Sequence, residues 1–394
     1  MTALKEEIDR EALWQAFSDE TLLADLRDFV AKEIRPEADR IDREDYYPTE
    51  IVRKLSRAGY TNYLIEKEYG GSGGTYADAA SIFEEIAVAS AAVGISLITI
   101  FQAQTMLRKY GEESLKKKWL PKFGEGLLAS YALTEANHGS DIRTLDTKAW
   151  RDGDDWIIDG EKHFITSGSA AEFYITLAET DAGVTVFAVP GDAPGVSIYD
   201  GENSATFGLR NGPHMNVVYD KVRLPADHMV GTEGKGVRQA ATVLNHSRTL
   251  AGAISNGVSR AAYEDALAFA RDRRAFDSRV LEFQGIQWYF SEMLTEIDSA
   301  RLLVFRAASA LDEDHQVIRW GSEAKLKAGE VATQVAVKAA QICGAYGITE
   351  NAPFSRYLRD AKAYEVAGGS NEILKNTIGK FLMPVAGIEK KKPK

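Results

Sequence analysis

The sequence predicts a protein in which a β domain separates two helical domains. Two observations support this prediction. Apolar residues recur at helical spacing near both ends of the chain, and short β-branched or aromatic runs fill the middle. We place an N-terminal helical domain at 1–128, a β-barrel or sandwich domain at 129–236, and a C-terminal helical bundle at 237–394. Few folds interrupt a helical protein in this way.

The N-terminal part begins with a helical pattern. Leu22, Leu26 and Val30 follow the spacing of one buried helix face, and Pro36 is expected to end that helix or bend the chain. The glycine-rich segment YGGSGGTYAD at 69–78 could in principle cradle phosphate. No strand is predicted before it and no GK[ST] follows, so we interpret it as a plain connection between helices.

The middle part reads as a series of strands. The runs WIIDG, FYITLAET, VTVFAVP, VSIYDG and MNVVYDKVRLP are separated by Gly, Asp and Pro, which is typical of an antiparallel barrel or sandwich. Helical spacing returns after Val237, with Leu250, Ile254 and Val258 on one face. The last segment, GIEKKKPK, is typical of a disordered end.

Composition excludes several classes of function. The formal net charge of -11 argues against nucleic acid and anionic membrane surfaces as partners. No apolar run approaches the ~20 residues of a membrane span, and the acidic start shows no apolar core of a signal peptide. The single cysteine, Cys343, excludes an internal disulfide and a cysteine metal cluster, and the six histidines form no HxxxH pair. We therefore expect a cytoplasmic protein without a metal site.

Several segments carry a resemblance to a known family. YALTEANHGSDIRTLDTKA at 131–149 and EKHFITSGSAAEFY at 161–174 resemble motifs of the acyl-CoA dehydrogenase family. Similar segments follow in order: FGLRNGPHMNVVYDKVRLP, RDRRAFDSRVLEFQGIQ, QICGAYGI and RYLRDAKAYEVAGGSNEI. The resemblance covers nearly the whole chain. It implies the family's fold with a C-terminal four-helix bundle, and an FAD-dependent oxidoreductase acting on an acyl-CoA thioester.

The resemblance also implies where the flavin ring binds, between the β domain and the C-terminal bundle. The edge and N5 of the ring need hydrogen bonds that stabilise the reduced form. The residues implied to bind the flavin are Tyr131, Leu133, Thr134, Ser140, Phe164, Thr166, Ser167 and Ser370. Phe164 replaces the family's usual Trp and can still cover the ring. Ser140 would bind the flavin phosphate or the CoA arm.

A second group of residues resembles the part of the family that binds the FAD of a neighbouring subunit. Arg273 and Phe276 match residues that hold its diphosphate and adenine, and an arginine fork suits paired phosphate oxygens. Asp277 stands where the family usually has Gly. A further adenosine-side segment contains Gln341, Gly344 and Ala345. The resemblance therefore implies a homotetramer, a dimer of dimers.

For the substrate, Asn245 and Arg248 match the helix positions that meet the thioester arm. In the family, a flavin ribityl hydroxyl and a backbone N–H beside the catalytic turn bind the thioester carbonyl. Here that N–H belongs to Glu365, Gly368 or a neighbour. These bonds stabilise the enolate that forms when the α-proton leaves, as in an oxyanion hole.

The catalytic base of the family is absent from both of its usual positions. A desolvated glutamate normally removes the α-proton, since burial raises its pKa toward the working range. Gly368 occupies the usual slot on the C-terminal turn, and Ser247 occupies the alternative slot directly before Arg248. The remaining candidate acid–base groups are Glu365, His246 and Tyr364.

Three hypotheses follow from this absence. The protein is a redox enzyme of acyl-CoA thioesters with a non-standard acid or base, in the oxidising or the reducing direction. Alternatively it is a flavin-dependent oxygenase or lyase of a CoA thioester on the same scaffold, or a non-catalytic subunit of a heteromeric dehydrogenase. The electron acceptor would be an electron-transferring flavoprotein or O₂.

Overall fold

The structure is a computed structural model that describes residues 13–14, 17–202 and 204–386. The predicted disordered end, GIEKKKPK, lies outside the described residues, as does most of the acidic start. The helices before the strands are α1 (Glu20–Phe29), α2 (Ala38–Glu44), α3 (Thr49–Arg57), α4 (Tyr76–Ala89), α5 (Ala91–Tyr110) and α6 (Glu113–Glu125).

The first helix shows how local sequence sets the element boundaries. Asp19 caps α1 by accepting a hydrogen bond from the N–H of Thr21 at 2.8 Å. Leu23 and Leu26 are its buried residues, so Leu23 takes the place that the pattern gave to Leu22. The helix ends before Pro36, and a π turn and a 3₁₀ turn carry the chain into α2.

The central strands are β1 (Ala129–Ala132), β2 (Lys148–Asp152), β3 (Asp155–Ile165), β4 (Phe173–Thr180), β5 (Gly183–Pro190), β6 (Val196–Tyr199), β7 (Met215–Leu224) and β8 (Met229–Val230). They form one sheet in the order β6-β7-β3-β2-β4-β5-β8, with β1 beside β4. Trp156, Tyr174, Phe187 and Tyr219 are fully or almost fully buried in its core.

The antiparallel prediction for these strands is corrected at two pairs. β1 and β2 both run parallel to β4, whereas the other pairs of this sheet are antiparallel. The reason is topological. The β2–β3 hairpin comes between β1 and β4 in the chain, so β1 reaches β4 only through a long connection of the kind that parallel strands require. Composition identifies strands but not their direction.

The C-terminal elements are α7 (Gly236–Asp272), β9 (Arg274–Ala275), β10 (Ser278–Arg279), α8 (Gln284–Asp312), α9 (Ile318–Ile342), α10 (Phe354–Val366) and α11 (Asn371–Val385). Gly252 on α7 permits close helix packing, because a Cβ there would lie 2.9 Å from Val304 on α8 and 3.4 Å from the backbone of Ala324 on α9. The order of helices, strands and helices confirms the predicted fold class.

By compactness the chain divides into two units. One, here called the strand unit, comprises Arg40–Thr75 and Ala92–Ser247. The other, here called the helical unit, comprises Met1–Asp39, Tyr76–Ala91 and Arg248–Lys394. The three domain boundaries drawn from sequence stay a prediction. No helix within the described ranges is both long and apolar enough to cross a bilayer.

Candidate functional site

In the strand unit, the predicted flavin-binding residues form two segments that lie side by side. The segment at the end of β1 contains Tyr131 to Thr134, and the segment at the end of β3 contains Phe164 to Ser167. The N–H of His163 donates to the carbonyl of Thr134 at 2.8 Å, and the hydroxyl of Ser130 donates to the carbonyl of Thr166 at 2.6 Å. The fold therefore brings together residues that are about thirty positions apart in sequence.

A buried ion pair holds the first segment in place. The carboxylate of Glu135 accepts hydrogen bonds from the ammonium group of Lys162 at 2.6 Å and from the N–H groups of Asp146 and Thr147. Burial favours a raised pKa for Glu135, but Lys162 and these donors outweigh it and lower the pKa. Burial lowers the pKa of Lys162 to about 8, against the opposing effect of Glu135. The pair is charged at neutral pH and ties the segment to β3.

The backbone of the second segment is strained at Phe164, whose ring is exposed, and at Ser167. Phe164 has φ 54° and Ser167 has φ 61°, in the left-handed region that bulky residues rarely adopt. A register shift in β3 between Lys162 and Ile165 accounts for it, because bulges re-aim side chains. Phe164 is left 46% exposed. Such strain is characteristic of ligand sites.

The polar groups of these two segments fit the edge of a flavin ring. The hydroxyls of Thr134 and Thr166 and the N–H groups of Leu133 and Thr134 have no hydrogen-bond partner within the described chain. The buried hydroxyl of Tyr131 likewise has none there. Uncharged donors of this kind suit a ring whose nitrogen and oxygen atoms accept hydrogen bonds.

Two predicted residues of the strand unit are placed differently from the others. The hydroxyl of Ser167 is buried and accepts hydrogen bonds from Thr99 at 3.1 Å and Asn211 at 3.2 Å. The Ser167 hydroxyl is thus held by protein groups, and the place of Ser167 beside the flavin stays a prediction. Ser140 lies in the exposed connection between β1 and β2.

In the helical unit, the two predicted adenosine segments lie near one another. Arg273 directly precedes the β9–β10 hairpin and Phe276 lies in its turn, where the ring is 91% exposed. The rings of Phe269, at the end of α7, and Tyr346 stack with centroids 5.6 Å apart. This contact brings the hairpin toward the exposed segment that contains Gln341, Gly344 and Ala345. Asp277 has φ 62°, the conformation that glycine adopts without strain, which explains the family's usual Gly.

The glycine turn that follows α10 is held by two buried cations. We call residues 368–370 the acceptor turn. The Nε of Arg248 donates to the carbonyl of Gly368 at 3.4 Å, and the Nζ of Lys325 donates to the carbonyl of Gly369 at 2.8 Å. Gly368 and Gly369 have φ 70° and 106°. Ser370 caps α11 by accepting from the N–H of Ile373. The acceptor turn therefore combines two glycines in left-handed conformations with carbonyl groups that accept hydrogen bonds from buried side chains.

Comparisons with known proteins settle the family. Three family models match this chain. The model of the acyl-CoA dehydrogenase N-terminal domain matches residues 18–126, that of the middle domain matches 130–222, and that of the C-terminal domain matches 234–383. The chain belongs to the acyl-CoA dehydrogenase family. It is 33% identical over 370 residues to the probable acyl-CoA dehydrogenase fadE25 of Mycobacterium leprae, covering 92% of this chain and 94% of that protein. Butyryl-CoA dehydrogenase from Megasphaera elsdenii matches with a TM-score of 0.89 and 32% identity, over 92% and 97% of the two chains.

A third similar structure is a prolyl acyl carrier protein oxidase, AnaB, with a TM-score of 0.88 and 26% identity. The match covers 93% of this chain and 100% of the AnaB chain. Family membership confirms the predicted class of an FAD-dependent oxidoreductase that acts on acyl-CoA thioesters.

Gly368 and Ser247 are the two positions predicted for the family's base, and that assignment stays a prediction; neither residue is an acid. A Cβ added to Gly368 would have no atom within 4 Å, so there is open space around this residue within the described chain. Ser247 is buried, accepts a hydrogen bond from Gln102 at 3.2 Å and donates to the carbonyl of Leu244. Glu365 is occupied, since its carboxylate accepts hydrogen bonds at 2.6 to 3.2 Å, the donors being Thr333, Lys362 and Asn371.

The two other acid–base candidates have unfavourable surroundings. Burial, followed by the positive charges of Lys109 and Arg108, lowers the pKa of His246 to about 3, so the imidazole is neutral at physiological pH and a weak base. Tyr364 is fully buried, and its hydroxyl has no partner within the described residues. Burial raises its pKa well above the usual value. It can donate a hydrogen bond but does not ionise near neutral pH.

Two further features bear on the predicted thioester contacts. Glu365 lies in the last turn of α10, where backbone N–H groups donate within the helix. This removes it from the candidate donors to the thioester carbonyl and leaves the acceptor turn. Asn245 and Arg248 are buried along α7, and their contact with the thioester arm stays a prediction. Sequence reasoning did not identify Lys162 and Lys325 as residues that hold these segments in place. The signal that could have identified them is a lysine at an apolar position of a strand or helix pattern.

Proposed function

We propose that the chain catalyses oxidation or reduction of the Cα–Cβ bond of an acyl-CoA thioester without a carboxylate at either base position of the family. The observation that carries the proposal is the acceptor turn. Arg248 and Lys325 hold its carbonyl groups, and its backbone N–H groups would be available to a thioester carbonyl. The space beside Gly368, the position predicted for the base, is open. Carbonyl activation is retained, and the acid–base function is altered.

The residues present fit FAD. Tyr131, Leu133, Thr134 and Thr166 would hold the ring edge, and Phe164 would cover one face. When bound, FAD supplies hydride transfer to or from the substrate β-carbon. Arg273 and Gln341 would bind the adenosine side, since both are exposed and near the stacked rings of Phe269 and Tyr346. Ser140 would bind phosphate of the flavin or of CoA.

The contribution of the chain itself is activation of the α-proton. A hydrogen bond to the thioester carbonyl stabilises the negative charge that develops on the oxygen as the proton leaves. Arg248 and the acceptor turn would provide this stabilisation, and Asn245 would orient the arm. Loss of a general base commonly lowers a rate by ~10²–10⁴-fold rather than abolishing it. A slow enzyme, or one that uses solvent as the proton acceptor, is the expected result.

A homotetramer is part of the proposal. The Phe276 ring on the β9–β10 hairpin is almost fully exposed, and α11 exposes further large apolar side chains, namely Phe381, Leu382 and Val385. Isolated exposed apolar residues are common, but a cluster on one element is characteristic of interfaces. Size-exclusion chromatography with light scattering would test this, and a monomeric holoprotein would contradict it.

The electron acceptor and the location are also proposals. We favour an electron-transferring flavoprotein over O₂, because the family members that match this chain over most of its length are named dehydrogenases. The similar AnaB protein is named an oxidase, so O₂ is the acceptor to test second. A cytoplasmic location rests on the single cysteine, Cys343, and on the acidic composition.

The experiment is an anaerobic titration. The FAD-loaded protein is mixed with short, branched and cyclic saturated acyl-CoAs while the visible flavin band is followed. The reducing direction is tested by chemically reduced protein and the matching enoyl-CoAs. Bleaching by a saturated thioester, or reoxidation by an enoyl thioester, supports the proposal. A full-strength band with all saturated compounds and no anaerobic reoxidation by any enoyl-CoA contradicts it.

A further inference from the structure

A cluster of charged side chains joins four helices in the helical unit, and none of its members is among the residues predicted for the flavin or the thioester. It consists of arginines and glutamates of α1, α4, α7 and α8, namely Arg27, Glu84, Glu85, Arg260, Glu264 and Arg301. The guanidinium group of Arg260 donates to the carboxylates of Glu84 at 2.7 Å and Glu85 at 3.0 Å. Arg301 donates to Glu84 at 2.9 Å. Positive and negative groups are equal in number, so the cluster carries no net charge.

Two atoms of this cluster have no hydrogen-bond partner among the described residues. Oε1 of Glu84 accepts from both Arg260 and Arg301, whereas Oε2 of Glu84 accepts from no described group and Nε of Arg260 donates to none. Both side chains are 3% exposed, so bulk solvent does not supply a partner. A buried charged group with an unused donor or acceptor destabilises the folded state, and such groups are nearly always bound to protein or to ordered water. One partner that both donates and accepts would satisfy the two atoms together.

The side chains of Glu84 and Arg260 line the same small cavity. Its volume is about 10 Å³, which is close to the space that one water molecule needs. Ser81 also lines the cavity, and its hydroxyl donates to the carbonyl of Ala77 at 3.2 Å, so the hydroxyl oxygen can still accept a hydrogen bond. Apolar side chains contribute to the lining as well, namely Trp14, Phe17 and Leu23. The cavity therefore offers one donor and two acceptors in a space too small for a larger ligand.

We infer that this cavity is a binding site for a single water molecule, which donates hydrogen bonds to Oε2 of Glu84 and Oγ of Ser81 and accepts one from Nε of Arg260. Three hydrogen bonds are typical of a buried water molecule. The balanced charge of the cluster favours water over an ion, because an ion of either sign would leave a net charge in the core. An anion would also face the unpartnered oxygen of Glu84. The inference is independent of the proposed function.

The packing of α7 against α4 explains why the cavity does not close. A Cβ added to Gly257 on α7 would lie 2.5 Å from the carbonyl oxygen of Glu84 and 2.6 Å from the Cβ of Ala87, so the two helices are already in contact through their backbones. A shift of one helix toward the other therefore cannot remove the gap between the side chains. Water in a polar gap of this kind restores contacts and hydrogen bonds that an empty space would lose. The bound water would thus connect α4 to α7 where the protein's own side chains leave two atoms unpaired.

A crystal structure of the FAD-loaded protein, at a resolution that shows ordered water, tests the inference directly. We expect a density peak at about 2.6–3.2 Å from both Oε2 of Glu84 and Nε of Arg260. A second crystal grown in bromide identifies the occupant, because bound bromide gives an anomalous signal and water does not. Ordered side chains around a cavity without density, or a bromide signal inside it, would overturn the inference.

Ser81→Val tests the same water molecule in solution. The larger apolar side chain fills the cavity and displaces the water, so Glu84 and Arg260 lose their shared partner. Ser81→Ala removes the hydroxyl but leaves room for the water. Because valine and alanine also differ in helix propensity, the same two substitutions are made at Asp78, a half-buried residue of α4 outside the cavity lining. FAD content and melting temperature are recorded for each protein.

We expect Ser81→Val to melt below Ser81→Ala, and the gap to exceed that of the Asp78 pair by about 2–6 °C. A dry cavity would give the opposite result, because an apolar group that fills an empty space stabilises a protein. A gap at Ser81 no larger than the gap at Asp78 would therefore overturn the inference. Should Ser81→Val fail to fold, the wild-type crystal decides. None of these measurements depends on turnover, so the proposed function stands or falls separately.

Discussion

Gly368→Glu is the substitution that tests the open slot most sharply. The added Cβ would have no atom within 4 Å, so the glutamate enters without a steric clash. The backbone at Gly368 has φ 70°. A residue with a side chain destabilises the folded state by about 1–2 kcal/mol in that left-handed conformation. This is small beside the ~5–15 kcal/mol that stabilises a typical domain. The variant is expected to fold and to bind FAD.

The catalytic effect should exceed the conformational cost. A positioned general base contributes about 10²–10⁴-fold, equivalent to about 3–5 kcal/mol of barrier. We therefore expect Gly368→Glu to raise the anaerobic rate of flavin bleaching by saturated acyl-CoAs about 100-fold or more. The assay is stopped-flow absorbance under anaerobic conditions. Gly368→Gln is the matched control, because it has the same shape and backbone strain but cannot accept the proton.

Equal rates for the Glu and Gln variants, with FAD bound in both, would refute the assignment of the slot. An increased rate that depends on pH with a single ionisation, in the Glu variant only, is the expected result. A higher rate in both variants would show that filling the space, and not the carboxylate, is responsible.

Three other predictions concern the surrounding residues. Glu365→Gln should lower the free energy of unfolding by about 1–3 kcal/mol in thermal melts, because its hydrogen bonds are structural, yet change bleaching rates less than about 3-fold; a much larger kinetic loss would make it the base. His246 binds its proton more weakly in the folded protein, so stability should fall as the pH drops from about 6.5 toward 3. His246→Gln should flatten that slope in pH-dependent melts, and an unchanged slope would contradict the assignment. Lys162→Met should destabilise the protein by about 3–5 kcal/mol, since it leaves the Glu135 carboxylate buried without its cation. Adding Glu135→Gln should restore part of the loss, and no restoration would place the effect elsewhere.

The sequence was sufficient for the fold class, and it predicted two flavin segments that the structure places side by side. Tyr131, Thr134 and Thr166 lie in motifs with characteristic spacing, and strands end where Gly, Asp and Pro interrupt the β-branched runs. The prediction that Gly368 occupies the base slot also needs no coordinates, because it comes from motif alignment alone.

Other features depend on packing between distant segments and could not be predicted. The burial of Lys325 follows from helices α10 and α11 closing around α9, and nothing local distinguishes it from Lys327 or Lys338, which pair with exposed glutamates. The inward orientation of the Ser167 hydroxyl depends on Thr99 and Asn211, which are 68 and 44 positions away. Side-chain direction at a strained residue is a tertiary property.

The central claim is that this chain transfers hydrogen at the Cα–Cβ bond of an acyl thioester without a carboxylate base. Its most direct test is the product. FAD-loaded protein is incubated with a reactive acyl-CoA and a chemical electron acceptor, and the CoA ester is analysed by mass spectrometry. The account predicts a product that has lost two hydrogen atoms, or gained two when an enoyl-CoA and a reductant are supplied. Addition of oxygen to the acyl group, or release of an acyl fragment, would contradict it.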